Sequence, residues 1–174
     1  MEMPAERRDD DALRGDRSPA AIDQAVYVNL DAWDGYPSER TQLLQFIAGQ
    51  ALRNVVVCTG DAHNCCAGVL RPDFKNPADA PVAVEFVGGS VSSFGAAEIV
   101  GQDITELARK IVPQANPHIE YLDLKHHVYT KVVVSPGQMD VQYIAVATVA
   151  HPASGAFLLQ RFIVPDGKSQ LIPT

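Results

Sequence analysis

From Ile119 to Val164 the sequence is an almost unbroken series of strand-like segments: "IEYLDL", "HVYTKVVV", "QMDVQYIAVATVA" and "GAFLLQRFIV". Turn-forming stretches such as "SPGQ" and "HPASG" separate the last three. β-Branched and aromatic runs bounded by Gly, Pro and Ser predict consecutive antiparallel strands. A sheet of this kind is apolar on at least one face and has to bury it against a second layer. The last third of the chain therefore constrains everything that precedes it.

The earlier segments supply candidates for that layer. "PSERTQLLQFIAGQALRN" predicts a helix from Pro37 to Leu52, with Leu43, Leu44, Phe46 and Ile47 as its apolar face. Pro37 suits the first turn, and Glu39 favours the positive end of the helix dipole. "VVVC" follows as a β-branched run, the pattern of a strand buried on both faces. A second strand is expected from Cys65 to Leu70, and a third in "VAVEFVGG". "DITELARKIVPQA" predicts a helix over 103–115, with Asp103 as N-cap and Glu106 completing a capping box. "AVYVNLDAW" adds a short β-leaning run ahead of the first helix. The fold class is α/β (α+β): a mixed β-sheet with few covering helices and a C-terminal antiparallel β-ribbon. Two helices give little cover for about seven strands, which implies exposed apolar surface or a missing layer.

With 174 residues the chain fits one domain, expected over 21–174. Residues 1–20 are charged, poor in large apolar side chains and broken by Pro and Gly, so they read as a disordered tail. The net charge of -7 and a pI of about 5.1 argue against a nucleic-acid partner, which needs a basic face. No apolar run approaches the ~20 residues of a membrane span. The N-terminus lacks the apolar core of a secretory signal, and the composition suggests a cytoplasmic chain. All three cysteines fall between Cys58 and Cys66, so no disulfide framework is expected.

The chemistry-bearing stretch is "CTGDAHNCCAG", directly after "NVVV". Ligands gather beyond the carboxyl ends of strands, and this turn delivers Asp61 and His63 there. Two positions apart in extended backbone, they would point the same way and suit a metal ion. The alternative is a plain turn, with Asp61 bonding the backbone and His63 a bystander. Cys65 and Cys66 are adjacent rather than spaced as C-x-x-C, so they and Cys58 read as packing residues and a thiol-redox role is disfavoured. Three more segments stand out: "NLDAWDGYPSER", "EFVGGSVSSFG" and "NPHIEYLDL".

Taken in order, Asp31-Ala32-Trp33-Asp34-Gly35-Tyr36-Pro37, Gly60-Asp61-Ala62-His63, Glu85-Phe86-Val87 and Asn116-Pro117-His118-Ile119 resemble the carboxyl-terminal half of the alkaline phosphatase D family, the PhoD-like metallophosphatases. "HHVYTKVVVSPGQMDVQYIAV" is similar to the family's closing strand, turn and strand, with Met139 where Trp is usual. The resemblance covers roughly residues 27–150. It implies part of a metallophosphoesterase-type sandwich, a phosphate mono- or diester substrate, and calcium and iron as cofactors. It implies that Asp61 and His63 are metal-site residues, that Asn116 and His118 lie at the substrate mouth, and that Trp33 and Tyr36 shape the pocket. The family is often exported. Its first half, with a metal-binding Cys and further Asp, Tyr and Asn ligands, has no counterpart in this sequence. The expected consequence is a half-site, inactive alone, whose partner is the missing amino-terminal half of the domain. An interaction module without catalysis is the alternative.

Overall fold

The computed structural model describes residues 31–76 and 78–174. The expected tail over 1–20 and most of the "AVYVNLDAW" run lie outside the described residues. A 3-10 turn, Trp33–Gly35, leads into helix α1, Pro37–Gly49. Then come β1 (Val56–Thr59), β2 (Cys65–Leu70), β3 (Ala83–Val87), helices α2 (Ala96–Val100) and α3 (Gln102–Ala115), and β4 (Ile119–Asp123). The chain closes with β5 (Val128–Ser135), β6 (Gln138–Val146), β7 (Ala156–Pro165) and β8 (Ile172–Pro173).

These strands form two four-stranded sheets, ordered β1-β3-β2-β4 and β5-β6-β7-β8. The first is mixed, because β1 runs parallel to β3 while β2 is antiparallel to both β3 and β4. The second is antiparallel throughout, so the expected ribbon is a full sheet closed by the short β8. Period-two alternation decides which side chains meet between them. Cys65, Ala67 and Val69 of β2 and Val84 and Phe86 of β3 face Val141, Tyr143 and Ala145 of β6 and Phe162 and Val164 of β7 in one buried cluster. Aromatic rings join the layers: Phe86 lies 6.4 Å from Tyr143, and Tyr121 stacks on Tyr143 at 5.8 Å. The Tyr143 hydroxyl also donates to the Cys66 carbonyl across the sandwich at 2.5 Å.

Several expectations change in detail. The first helix stops at Gly49, three residues early, and Ala51 and Asn54 then take left-handed backbone. The "VVVC" run is not buried on both faces: among the described residues β1 pairs only with β3 and lies at the sheet edge, and Cys58 and Thr59 are exposed. Asp103 does not cap the second long helix. Gly101, at φ 87°, takes that place, since a short extra helix ends immediately before it.

The shortage of cover is visible on the surface. Val132, Val133 and Val134 of β5, Phe157 and Leu158 of β7, and Leu43 and Phe46 of α1 are all exposed. No described helix is long and apolar enough to cross a membrane.

Candidate active site

Strands β1, β3 and β4 finish at the same end of the mixed sheet, because β1 and β3 are parallel and Asp123, the last residue of β4, pairs with Cys65, the first of β2. The loops leaving that end are tied to one another. Gly88 N–H donates to the Thr59 carbonyl at 2.7 Å, and Val128 N–H to the Ser90 carbonyl at 3.0 Å. Ala97 N–H donates to the Leu124 carbonyl at 3.3 Å. Gly89 is fitted to this crossing: a Cβ there would sit 2.2 Å from a methyl of Val128.

The Gly60–Asn64 turn stands at the mouth of this end. Asp61 and His63 are not extended, as sequence spacing suggests, but hold left-handed backbone at φ 67° and 53°. Asp and His tolerate that region better than most residues, yet each such residue costs of order 1 kcal/mol and persists only where its surroundings impose it. Imposed strain of this kind concentrates at functional sites. His63 Nδ1 lies 3.0 Å from the Phe94 carbonyl. A carbonyl only accepts, so Nδ1 carries a proton, and in the neutral ring the free lone pair is on Nε2. An imidazole anchored to a backbone carbonyl through one nitrogen is arranged to use the other on a metal or a proton. Asp61 is exposed and His63 half-buried.

Four more side chains meet at this end that sequence reasoning passed over. The Glu98 carboxylate accepts from Gly95 N–H at 2.8 Å and lies 3.3 Å from His127 Nε2. The backbone bond and the imidazole together hold the Glu98 carboxyl below the usual carboxylate range. Asp123 accepts from the backbone N–H groups of Lys125 and His126 and from His126 Nδ1 at 3.0 Å. The signal for these was "LDLKHH", two histidines just past a strand end. Its meaning depends on a strand order that no local pattern encodes.

The remaining expected site residues lie elsewhere. Asn116 is buried, and its side-chain amide donates to the Val112 carbonyl at 3.0 Å, capping the end of α3. His118 precedes β4, whose other end is Asp123, so it sits roughly 10 Å or more along the strand from the His63 end. Its ring packs 4.6 Å from Phe74, whose own ring the Arg40 guanidinium covers at 4.7 Å. Burial, with Arg40 nearby, pushes the His118 imidazole down to about 4, so it is neutral at ordinary pH. Trp33 and Tyr36 are half exposed at the head of α1, where they line a cleft of about 390 Å³ with Asp31 and Glu39.

The thiols fit packing better than chemistry. Cys65 is wholly buried, and burial pushes the Cys66 thiol up to about 12, far from a reactive thiolate. Cys58 is the exception to the expected burial, being exposed on the edge strand. Among the described residues no group of three or more His, Cys, Asp or Glu side chains is placed to hold a metal ion. Asp61 and His63 alone do not fit calcium, which takes six to eight oxygen ligands.

A mixed sheet packed on an antiparallel one, with its loops gathered at one strand end, defines part of a metallophosphoesterase-type sandwich. The chain belongs to the PhoD-like phosphatase family, whose sequence model matches residues 3–143. It is 31% identical over 143 residues to alkaline phosphatase D of Bacillus subtilis (strain 168), an alignment covering 82% of this chain and 24% of that protein. A solved structure of PhoD superposes with a TM-score of 0.71 at 29% identity, covering 83% of this chain and 26% of the other. The chain thus spans about a quarter of the length of the relatives it matches.

Proposed function

We propose that this chain contributes one wall of a PhoD-type phosphoesterase site and that the site hydrolyses phosphate mono- or diesters. The observation that carries the reading is the Asp61–His63 turn: a strained backbone at a strand end, with His63 Nδ1 anchored so that Nε2 is presented. Family membership supports the substrate class. In this reading Asp61 and His63 supply two donors to a calcium- and iron-containing centre whose other ligands come from outside the described residues. Bound metal would supply Lewis acidity and an activated water. What these residues themselves do is hold the donors in place: Phe94 fixes the imidazole, and Glu98 fixes the Phe94–Gly95 backbone that carries it.

The test compares this chain alone with the chain supplemented by the absent part of a family domain. Hydrolysis of p-nitrophenyl phosphate and its bis-ester, with added calcium and iron, is expected only from the supplemented protein. Asp61→Asn and His63→Ala should each weaken metal binding there by at least tenfold or so while leaving the fold intact. Isothermal titration reads that loss directly. Equal affinity in parent and variants would reduce Asp61 and His63 to turn residues. Robust turnover by the isolated chain would show that its site is complete as it stands.

The second reading is an interaction module without catalysis, motivated by the apolar side chains left exposed on β5, β7 and α1.

A further inference from the structure

Helix α3 turns one face inward and leaves a separate apolar stripe bare. Thr105 and Asn116 are buried and Ala108, Val112 and Ala115 partly so, on the face that turns inward. The bare stripe is Ile104, Leu107 and Ile111, exposed by 57%, 57% and 44%. Their spacing of three and then four residues is the seam of a helix that packs along a second helix. Helix α2, packed against α3, adds exposed Ile99 and Val100 beside it.

The charges on α3 are sorted along its length. Asp103 and Glu106 stand in its first half, Arg109 and Lys110 in its second, all exposed. Glu106 and Arg109 already form a pair at 3.2 Å within the helix. On the flank of the apolar stripe only Asp103 and Lys110 remain, and their order is self-complementary when two copies run antiparallel. About a two-fold axis near Leu107, Ile104 of one copy meets Ile111 of the other, and Leu107 meets Leu107. Asp103, on the flank of the stripe, then approaches Lys110 of the other copy, whereas Glu106 and Arg109 lie on the far side of the helix. The opposed helix dipoles agree with this arrangement, whereas a parallel pair would set like charges against each other.

We propose that the exposed face of α3 is an isologous docking surface for a second copy of this chain, joined through antiparallel α3 helices. The helix is about 21 Å long. One helix and its flank make a small contact by the standard of stable dimers, so the association is reversible and concentration-dependent.

Sedimentation velocity on the 174-residue chain over a concentration series is the test. A monomer–dimer equilibrium is expected. Leu107→Asp should weaken it by roughly tenfold or more, the effect of a central contact residue. Because Leu107 is already exposed, its far-ultraviolet circular dichroism and melting should match the parent. Asp103→Lys or Lys110→Asp alone should also weaken the dimer, and the two together should restore it, since the swap recreates both pairs across the axis. A monomer at every concentration would overturn the proposal. So would a dimer indifferent to Leu107→Asp, or a double variant no better than the singles. Association seen only after adding the absent part of a family domain would assign the face to that partner instead, and the two-copy arrangement would fall.

Discussion

Tyr143→Ala is expected to cost about 3–5 kcal/mol, a large share of the roughly 5–15 kcal/mol that holds a typical domain folded. Tyr143 is fully buried and stands where the two sheets meet. Its ring touches Phe86, Tyr121 and Phe162, so alanine would leave a void bounded by three aromatic side chains from both layers. Close-packed interiors refill such voids only in part. The hydroxyl contributes separately by donating to the Cys66 carbonyl. Tyr143→Phe should therefore cost about 1 kcal/mol, the usual net value of one such bond. Urea denaturation followed by circular dichroism separates the two losses. An alanine variant within 1 kcal/mol or so of the parent would mean that the sheets do not depend on this junction.

A second large effect is expected on acidification, and it originates at His118. In the unfolded chain this imidazole titrates near its ordinary value of 6.5, whereas in the folded protein burial, aided by Arg40, lowers it to about 4. Between those values the unfolded state takes up a proton that the folded state refuses, so stability falls as pH drops. The loss begins near the unfolded value and levels off below the folded one. Above neutrality His118 contributes no slope. The full gap corresponds to roughly 3 kcal/mol, of which about 2 kcal/mol is lost by about pH 5. Carboxylates titrate in the same range, so the measurement is a difference. Parent and His118→Gln are unfolded in urea at about pH 7.5 and about pH 5, and the parent should lose about 2 kcal/mol more than the variant. Identical losses in both would place His118 in a more open setting than its packing against Phe74 indicates.

The α3 proposal and the Asp61–His63 proposal are independent. One concerns a helix face that the fold leaves bare, the other a turn that the fold strains. A monomeric chain would leave the site reading intact, and unaltered metal affinity in Asp61→Asn would leave the helix face intact.

Local pattern was enough to determine much of this protein. Alternation in "QMDVQYIAV" placed β6, and the inward positions Val141, Tyr143 and Ala145 follow from period two alone. Cys65–Leu70 formed a strand between the limits its residues suggested, and Gly60-Asp61-Ala62-His63 stood at a strand end as its position after "VVVC" implied. Tertiary structure decided the rest, because pairing order is a long-range property. A β-branched run carries the same local signal at the centre of a sheet as at its edge, so only the order β1-β3-β2-β4 could expose Cys58. Left-handed backbone at Asp61 and His63 is imposed by bonds such as that from His63 to Phe94, thirty-one residues on. Glu98 and His127 meet only because β4 returns to the strand end where the Gly88–Gly95 loop begins. The sequence named the two residues of the turn, and folding chose the carbonyl, the carboxylate and the second imidazole that hold it, since those contacts join segments that no local window contains.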